Sequence, residues 1–489
     1  MTDPFHMSRL ELLPDELLLL IASFAMSQST IAALARTSHR LYSIYDPCLY
    51  RWNVAHDQSS ALYWAAENGI MVTFQKALDD GATLPVEYSS EELTNGPGYP
   101  CSTCSMELYD FQPHPLTLAA RGGHEAVVRL IIEKGASPDM VDPEGITLLS
   151  VAAMNGHVAL TRTLLALGAR QDIELPGRHA LTVASYRGHK EVAAILLSDL
   201  ENHYNEALED QVKEALIAAI SKRHKAIVQL LISHGAALNF VYAFQETPLN
   251  TAARNGDTDI LLLLLKHGAD PNRVLNRHHA ALTEAVLHNH EEAALILAQH
   301  TERLHCTRAL SIAVQQDDKR MFESLLRKGA APDFSLSDLA GHSQEDDLTY
   351  EWVQPIVYAV QSQDTHLVEM LLDHGADVNV QCPGWPKTGY DVVYSHVLFW
   401  PVEKQHEAMV DLLLERGADP NVVDKANQPP LTYAIECGNE YIIKSLLDHG
   451  ANPYRAVDNM GKRVLCYKEV STSIRTMLEE AEKNWPSEP

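Results

Sequence analysis

The stretch TPLNTAARNGDTDILLLLLKHGAD, from Thr247 to Asp270, decides the fold. Thr247-Pro248 opens a first helix, because Thr caps and Pro fits the first turn. Ala252 and Ala253 are small enough to let two helices approach closely. Asn255-Gly256 ends that helix, since Gly takes the left-handed conformation at no steric cost. Ile260, Leu261, Leu264 and Leu265 then form the apolar stripe of a second helix. Gly268 closes it, and Ala269-Asp270-Pro271-Asn272 leads through a turn into the next unit.

The unit recurs. Gly-Ala stands at Gly81, Gly135, Gly168, Gly235, Gly268, Gly329, Gly375, Gly417 and Gly450. The steps 135 to 168, 235 to 268 and 417 to 450 are each 33 residues. Degenerate units fill the wider steps around 181–200 and 282–300. About eleven units fit between Ala61 and Ala451. A single unit cannot bury its apolar face, so the units must stack.

These stretches resemble the ankyrin repeat, which implies an all-α solenoid of helix pairs joined by hairpin-like loops. The array expected here runs over 61–485. Insertions near 83–113, 333–354 and 381–401 interrupt it, and loops of this kind lie at the surface. The third insertion contains Trp385, Tyr390, Tyr394, Phe399 and Trp400. A last segment places Ile474, Met477, Leu478 and Ala481 on one side, with Glu479, Glu480, Glu482 and Lys483 turned away. That is the polar outer face of a helical cap.

Residues 8–55 do not fit the repeat. They include SRLELLPDELLLLIASFAMSQSTIAALARTSHRLYSIYDPCLYR, from Ser8 to Arg51. Acidic Asp15-Glu16 follows Pro14 into a first helical turn, where the helix dipole favours them. Leu17, Leu20, Ile21 and Phe24 fall on one helical face, and two further short helices follow. Three short helices make a marginal core that an outside partner can complete. The segment resembles an F-box. The matching positions are Leu13-Pro14, Glu16-Leu17, Ile21, Leu34, Thr37-Ser38-His39-Arg40-Leu41 and Leu49-Tyr50-Arg51, with Tyr50 where the family usually has Trp.

The resemblance implies a substrate-recognition subunit of a Skp–cullin–F-box ubiquitin ligase. Leu13, Pro14, Leu17, Leu20, Ile21 and Leu34 would then meet a Skp-type adaptor, and through it a cullin. The repeats would hold an unknown protein substrate. The chain would do no chemistry itself, but would raise the local concentration of substrate lysines near the charged ubiquitin carrier. Two alternatives stay open. The N-terminal stripe packs onto the first repeat as a cap, or the chain is a non-degradative ankyrin scaffold or regulator.

Substrate contacts on such an array fall on loop tips and inner helices. The candidates are Glu144, Arg178, Phe244, Arg277, His278 and Lys425, joined by Trp385 and Trp400 from the third insertion. Trp and Arg are common hot-spot types at interfaces. The competing reading is plain exposure for the tip residues and local packing for the two Trp.

Composition narrows the rest. Of 489 residues, 65 are Asp or Glu and 38 are Lys or Arg, a net charge of −27. That balance opposes nucleic-acid binding and leaves room for a basic partner. No apolar run reaches the ~18–20 residues of a membrane helix. The run Leu17 to Ala25 follows acidic residues, so it lacks a signal peptide's basic flank. Seven scattered Cys point to a reducing compartment, cytoplasmic or nuclear.

No cofactor and no metal are expected. Cys101 and Cys104 form a CxxC without a second pair nearby, read as ordinary loop thiols. Of 24 His, nine sit at fixed repeat positions: His124, His157, His189, His224 and His290 in the turn between helices, and His234, His267, His374 and His449 before Gly-Ala. Their period assigns them to the fold. HExxH, GxSxG and P-loop patterns are missing, so no enzyme is expected.

Overall fold

The computed structural model describes residues 17–18, 21, 60–84, 114–142, 145–173, 179–202, 206–242, 247–273, 280–334, 353–380, 396–424, 426–456 and 471–485. The chain divides into two compact units, Met1–Ala237 and Leu238–Pro489. Among the described residues the structure is largely helical, and Val141 and Thr147 form an isolated antiparallel bridge.

The first unit holds five helix pairs: Ser60–Asn68 with Met71–Asp79, Pro115–Gly122 with Glu125–Glu133, Leu148–Met154 with Val158–Ala166, Ala180–Arg187 with Lys190–Asn202, and Glu206–Ser221 with Lys225–Ser233. The second unit holds six: Pro248–Asn255 with Thr258–Lys266, Ala281–Leu287 with Glu291–Ala298, Arg303–Gln315 with Lys319–Arg327, Pro355–Gln361 with Thr365–Asp373, Phe399–Glu403 with Glu407–Glu415, and Pro430–Cys437 with Glu440–Asp448. The described helices thus pair into eleven repeats, followed by a closing helix Thr472–Asn484.

Several helices start at a side-chain cap. Thr247 Oγ1 accepts from the Asn250 amide at 3.1 Å, and Pro248 begins the helix. Asp257 Oδ1 accepts from the Ile260 amide at 3.1 Å. Each such cap satisfies one of the amides a helix start leaves open. Ala252, Ala253, Ile260, Leu261 and Leu264 have no exposed surface. Small residues on the first helix and large ones on the second let neighbouring pairs close without voids.

Two hydrogen-bond ladders stitch successive repeats. The first uses histidine. His124 Nε2 lies 2.8 Å from the Glu67 carbonyl and His157 Nε2 lies 2.7 Å from that of Arg121. His189 reaches Met154 at 3.1 Å, His224 reaches Tyr186 at 3.1 Å, and His290 reaches Arg254 at 2.9 Å. A carbonyl only accepts, so each of these rings carries its proton on Nε2. Each ring also lies against a glycine of the preceding repeat, at Gly69, Gly123, Gly156, Gly188 and Gly256.

Where that slot is not glycine, the ladder changes. Asn289, Asp317, Gln363 and Gln405 hold the same left-handed turn. The repeats after them carry Asp318, Asp364, His406 and Asn439, each capping its own helix. His406 is therefore a different histidine: its Nδ1 accepts from the Met409 amide at 3.1 Å.

The second ladder runs through the loops after Gly-Ala. Asn239 bonds the Gly268 carbonyl and the Asp270 amide. Asn379 bonds the Gly417 carbonyl and the Asp419 amide, and Asn421 bonds the Gly450 carbonyl and the Asn452 amide. His234, His374 and His449 satisfy carbonyls four residues back, at 2.8–2.9 Å. Each of these carbonyls also accepts the same histidine's backbone amide at 3.2 Å, so the ring is a second donor at the helix end.

Two expectations need correction. Phe399 and Val402 are buried, and Phe399–Glu403 is helical, so the third insertion does not extend to 401. Pro401 fits there because the first helical turn needs no amide donor at that position. In the closing helix Ile474 and Leu478 are buried, but Glu482 is half-buried rather than turned fully away.

Candidate functional site

Three residues of the N-terminal segment are described. Leu17, Leu18 and Ile21 are helical. Leu17 is 46% exposed, Ile21 is half-buried and Leu18 is fully buried. Adjacent residues thus differ: Leu18 packs inward, while Leu17 is exposed. Periodicity alone did not separate these adjacent residues. Leu13, Pro14, Leu20 and Leu34 lie outside the described residues.

Of the candidates on the repeats, Glu144, Arg178, Phe244, Arg277, His278, Lys425 and Trp385 also lie outside them, as do Cys101 and Cys104. The frames of two loop tips are described. Around Glu144, the Asp142 amide donates to the Ile146 carbonyl at 2.9 Å, and Asp142 Oδ1 accepts from the Ile146 amide at 2.8 Å. Around Lys425, Asp424 and Gln428 make the same two bonds, at 3.0 and 2.7 Å. In both, an Asp side chain closes a turn that the backbone has already drawn together.

Trp400 is in the helix Phe399–Glu403 and half-buried, not in an insertion loop. It stands five residues before the left-handed Gln405. Tyr358 and Tyr433 hold the same position before Gln363 and Gly438. Three successive repeats therefore place a half-buried aromatic at one register position. Tyr433 packs edge-on against Phe399, with ring centres 5.6 Å apart, and its hydroxyl donates to Asp424 Oδ2 at 2.7 Å. Burial, then the Asp424 carboxylate, push the Tyr433 hydroxyl far above its ordinary pKa. The first repeat has Trp64 in this register, 52% exposed. Sequence reading missed this column, although the common offset from the turn residue would have revealed it.

Among the described residues, no three His, Cys, Asp or Glu side chains gather as metal ligands, and no helix is long and apolar enough to cross a membrane.

Comparison with known proteins agrees with this reading of the fold. The ankyrin-repeat pattern matches residues 116–207, 200–274 and 398–468, and the single ankyrin repeat matches 355–383. The F-box-like pattern matches residues 10–54. The chain belongs to the ankyrin-repeat proteins and carries an F-box-like segment ahead of its repeats.

Among curated proteins, it is 25% identical over 189 residues to the ankyrin repeat and KH domain-containing protein mask-1 of Caenorhabditis elegans, covering 38% of this chain and 7% of that one. It is 25% identical over 197 residues to potassium channel AKT2/3 of Arabidopsis thaliana, covering 39% of this chain and 23% of that one. The chain thus spans less than a quarter of either relative. The crystal structure of the human ASB11 ankyrin repeat domain aligns with a TM-score of 0.39 at 24% identity, over 48% of this chain and 96% of that one.

Proposed function

We propose that this protein is the substrate-recognition subunit of a Skp–cullin–F-box ubiquitin ligase. The observation that carries the reading is the order of modules: an F-box-like segment at 10–54, directly followed by helix pairs from Ser60 onward. The first module fits a Skp-type adaptor, with Leu13, Pro14, Leu17, Leu20, Ile21 and Leu34 as its contacts. The exposure of Leu17 supports that role. The repeats bind a protein substrate, and the adaptor tethers them to a cullin in the cytoplasm or nucleus. Tethering makes ubiquitin transfer effectively intramolecular, so the receptor needs no catalytic residue of its own.

The test is co-purification with a Skp-type adaptor, comparing the intact chain with a Leu13→Ala/Pro14→Ala/Leu17→Ala variant. Capture by the intact chain, its loss in the variant, and ubiquitin transfer to a co-purified protein are expected. Adaptor capture without transfer would favour a non-degradative scaffold. No capture by a folded intact chain would overturn the adaptor reading.

A further inference from the structure

Eleven turns join the paired helices, and two of them differ from the rest in charge. Tyr186-Arg187-Gly188-His189-Lys190 and Ser221-Lys222-Arg223-His224-Lys225 occupy the same five positions in consecutive repeats. Together they carry five Lys or Arg and no acid. The other nine turns are neutral or acidic over these positions, as the chain's net charge of −27 leads one to expect.

The two turns form one platform. His224 Nε2 bonds the Tyr186 carbonyl at 3.1 Å, and Lys222 Nζ lies 4.5 Å from the centre of the Tyr186 ring. Tyr186 is 46% exposed, and Arg187, Lys190, Lys222, Arg223 and Lys225 are exposed beside it. Glu191 is the exposed acid next to Lys190.

The fold explains only part of this charge. Arg187 and Lys222 lie at or just past the C-terminal end of a first helix, where the dipole favours cations. Lys190 and Lys225 do the opposite. Each is the first residue of a second helix, where the dipole repels a cation, and the first turn that Lys225 opens holds no acidic residue. Stability alone would place Asp or Glu there, as at Glu125, Glu291, Glu407 and Glu440 in other repeats.

We infer that the turns 186–190 and 221–225 form a docking surface for a short, carboxylate-rich segment of a partner protein. Arg187, Lys190, Lys222 and Lys225 pair with its Asp and Glu side chains, and the Tyr186 ring covers an aliphatic or aromatic neighbour. A peptide is the occupant that the charge distribution favours over nucleic acid. Within the ~8 Å screening length of physiological salt a short segment feels only the local basic turns, whereas an extended polyanion meets the acidic remainder of the surface. The inference deepens the reading of the repeats as a protein-binding surface and stands whether or not an adaptor docks on the N-terminal segment.

The test uses the intact chain without adaptor and three fluorescent probes: an octapeptide of alternating Asp and Glu flanking one Leu, its Lys/Arg counterpart, and an oligothymidine. Fluorescence polarisation should show binding of the acidic peptide alone, weakening as salt rises. Arg187→Glu/Lys222→Glu should weaken it about tenfold or more, and Lys444→Glu on the helix Glu440–Asp448 of the second unit should not change it. A second variant guards against a folding artefact. Lys190→Gln should weaken peptide binding while raising the thermal midpoint, because it removes a charge that opposes the helix dipole. No binding of the acidic peptide, binding that ignores both variants, or tighter capture of the oligothymidine would overturn the proposal. A failure of adaptor capture would leave these readouts unchanged.

Discussion

His157 occupies the space that a side chain on Gly123 would need. A Cβ at Gly123 would stand 2.6 Å from His157 Nδ1, while His157 Nε2 holds the Arg121 carbonyl at 2.7 Å. Gly123 also has φ +71°. Gly123→Ala therefore meets two costs: left-handed backbone, about 1–2 kcal/mol, and a forced shift of a packed ring, about 1–3 kcal/mol. Gly438→Ala meets only the first, since Gly438 has φ +71° but nothing within 4 Å of its Cβ position. Urea melts followed by local hydrogen exchange should show the Gly123 variant losing about 2–5 kcal/mol and the Gly438 variant about 1–2. Equal losses would mean that the ring contact is not constraining.

The glycine–histidine pairing also predicts a coupling. Gly256 supports His290, whereas Asn289 precedes Asp318 in the following repeat. Gly256→Asn alone clashes with the His290 ring, which lies 2.4 Å from the Cβ position. His290→Asp alone loses the bond to the Arg254 carbonyl but supplies a helix cap that His290 lacks. Together they recreate the Asn289–Asp318 arrangement. The double variant should be more stable than the sum of the two single losses by about 1–2 kcal/mol in a double-mutant cycle. Simple additivity would show the pattern to be incidental.

Much of the fold was legible because the repeat writes the same punctuation many times. Thr247-Pro248, Asn255-Gly256 and His267-Gly268 each mark a helix boundary that the structure reproduces. Trp400 was misplaced because its repeat lacks those marks: Gln405 replaces the turn glycine, and the first helix is only five residues long. Sites were harder to read. The split between Leu17 and Leu18 depends on which face a neighbour covers, and a stripe of consecutive leucines does not encode that. The charge of the 186–190 and 221–225 turns was present in the sequence, but only the stacking of the helices makes them one surface.

Cys306 should be chemically silent in the folded protein. It is 4% exposed, and burial pushes its thiol from the ordinary 9.0 up to about 11. Because the folded pKa is raised, the stability it reflects is fully present below about 9 and is lost as pH rises toward 11. In that window the unfolded chain has released a proton that the folded chain still holds. Iodoacetamide at pH 8 should leave Cys306 unlabelled by mass spectrometry until denaturant is added. Cys306→Ala should reduce the fall in stability between pH 9 and 11, by up to about 1.4 kcal/mol per pH unit. Labelling of Cys306 in the native state would contradict its burial.

Leu17 and Leu18 should separate partner binding from folding. Leu17 is 46% exposed and Leu18 has no exposed surface. Leu18→Ala removes a fully buried side chain and should cost the N-terminal unit about 2–4 kcal/mol, whatever partner is present. Leu17→Ala should change stability by less than about 0.5 kcal/mol, as surface substitutions usually do. If Leu17 is an adaptor contact, its loss should nevertheless weaken capture of a Skp-type adaptor at least tenfold, the range of an apolar hot spot. The measurement is adaptor titration against each variant, with hydrogen exchange in the helix Ser60–Asn68 and its neighbours as the folding control. Full adaptor affinity in the Leu17 variant would move the contact to other residues of the N-terminal segment.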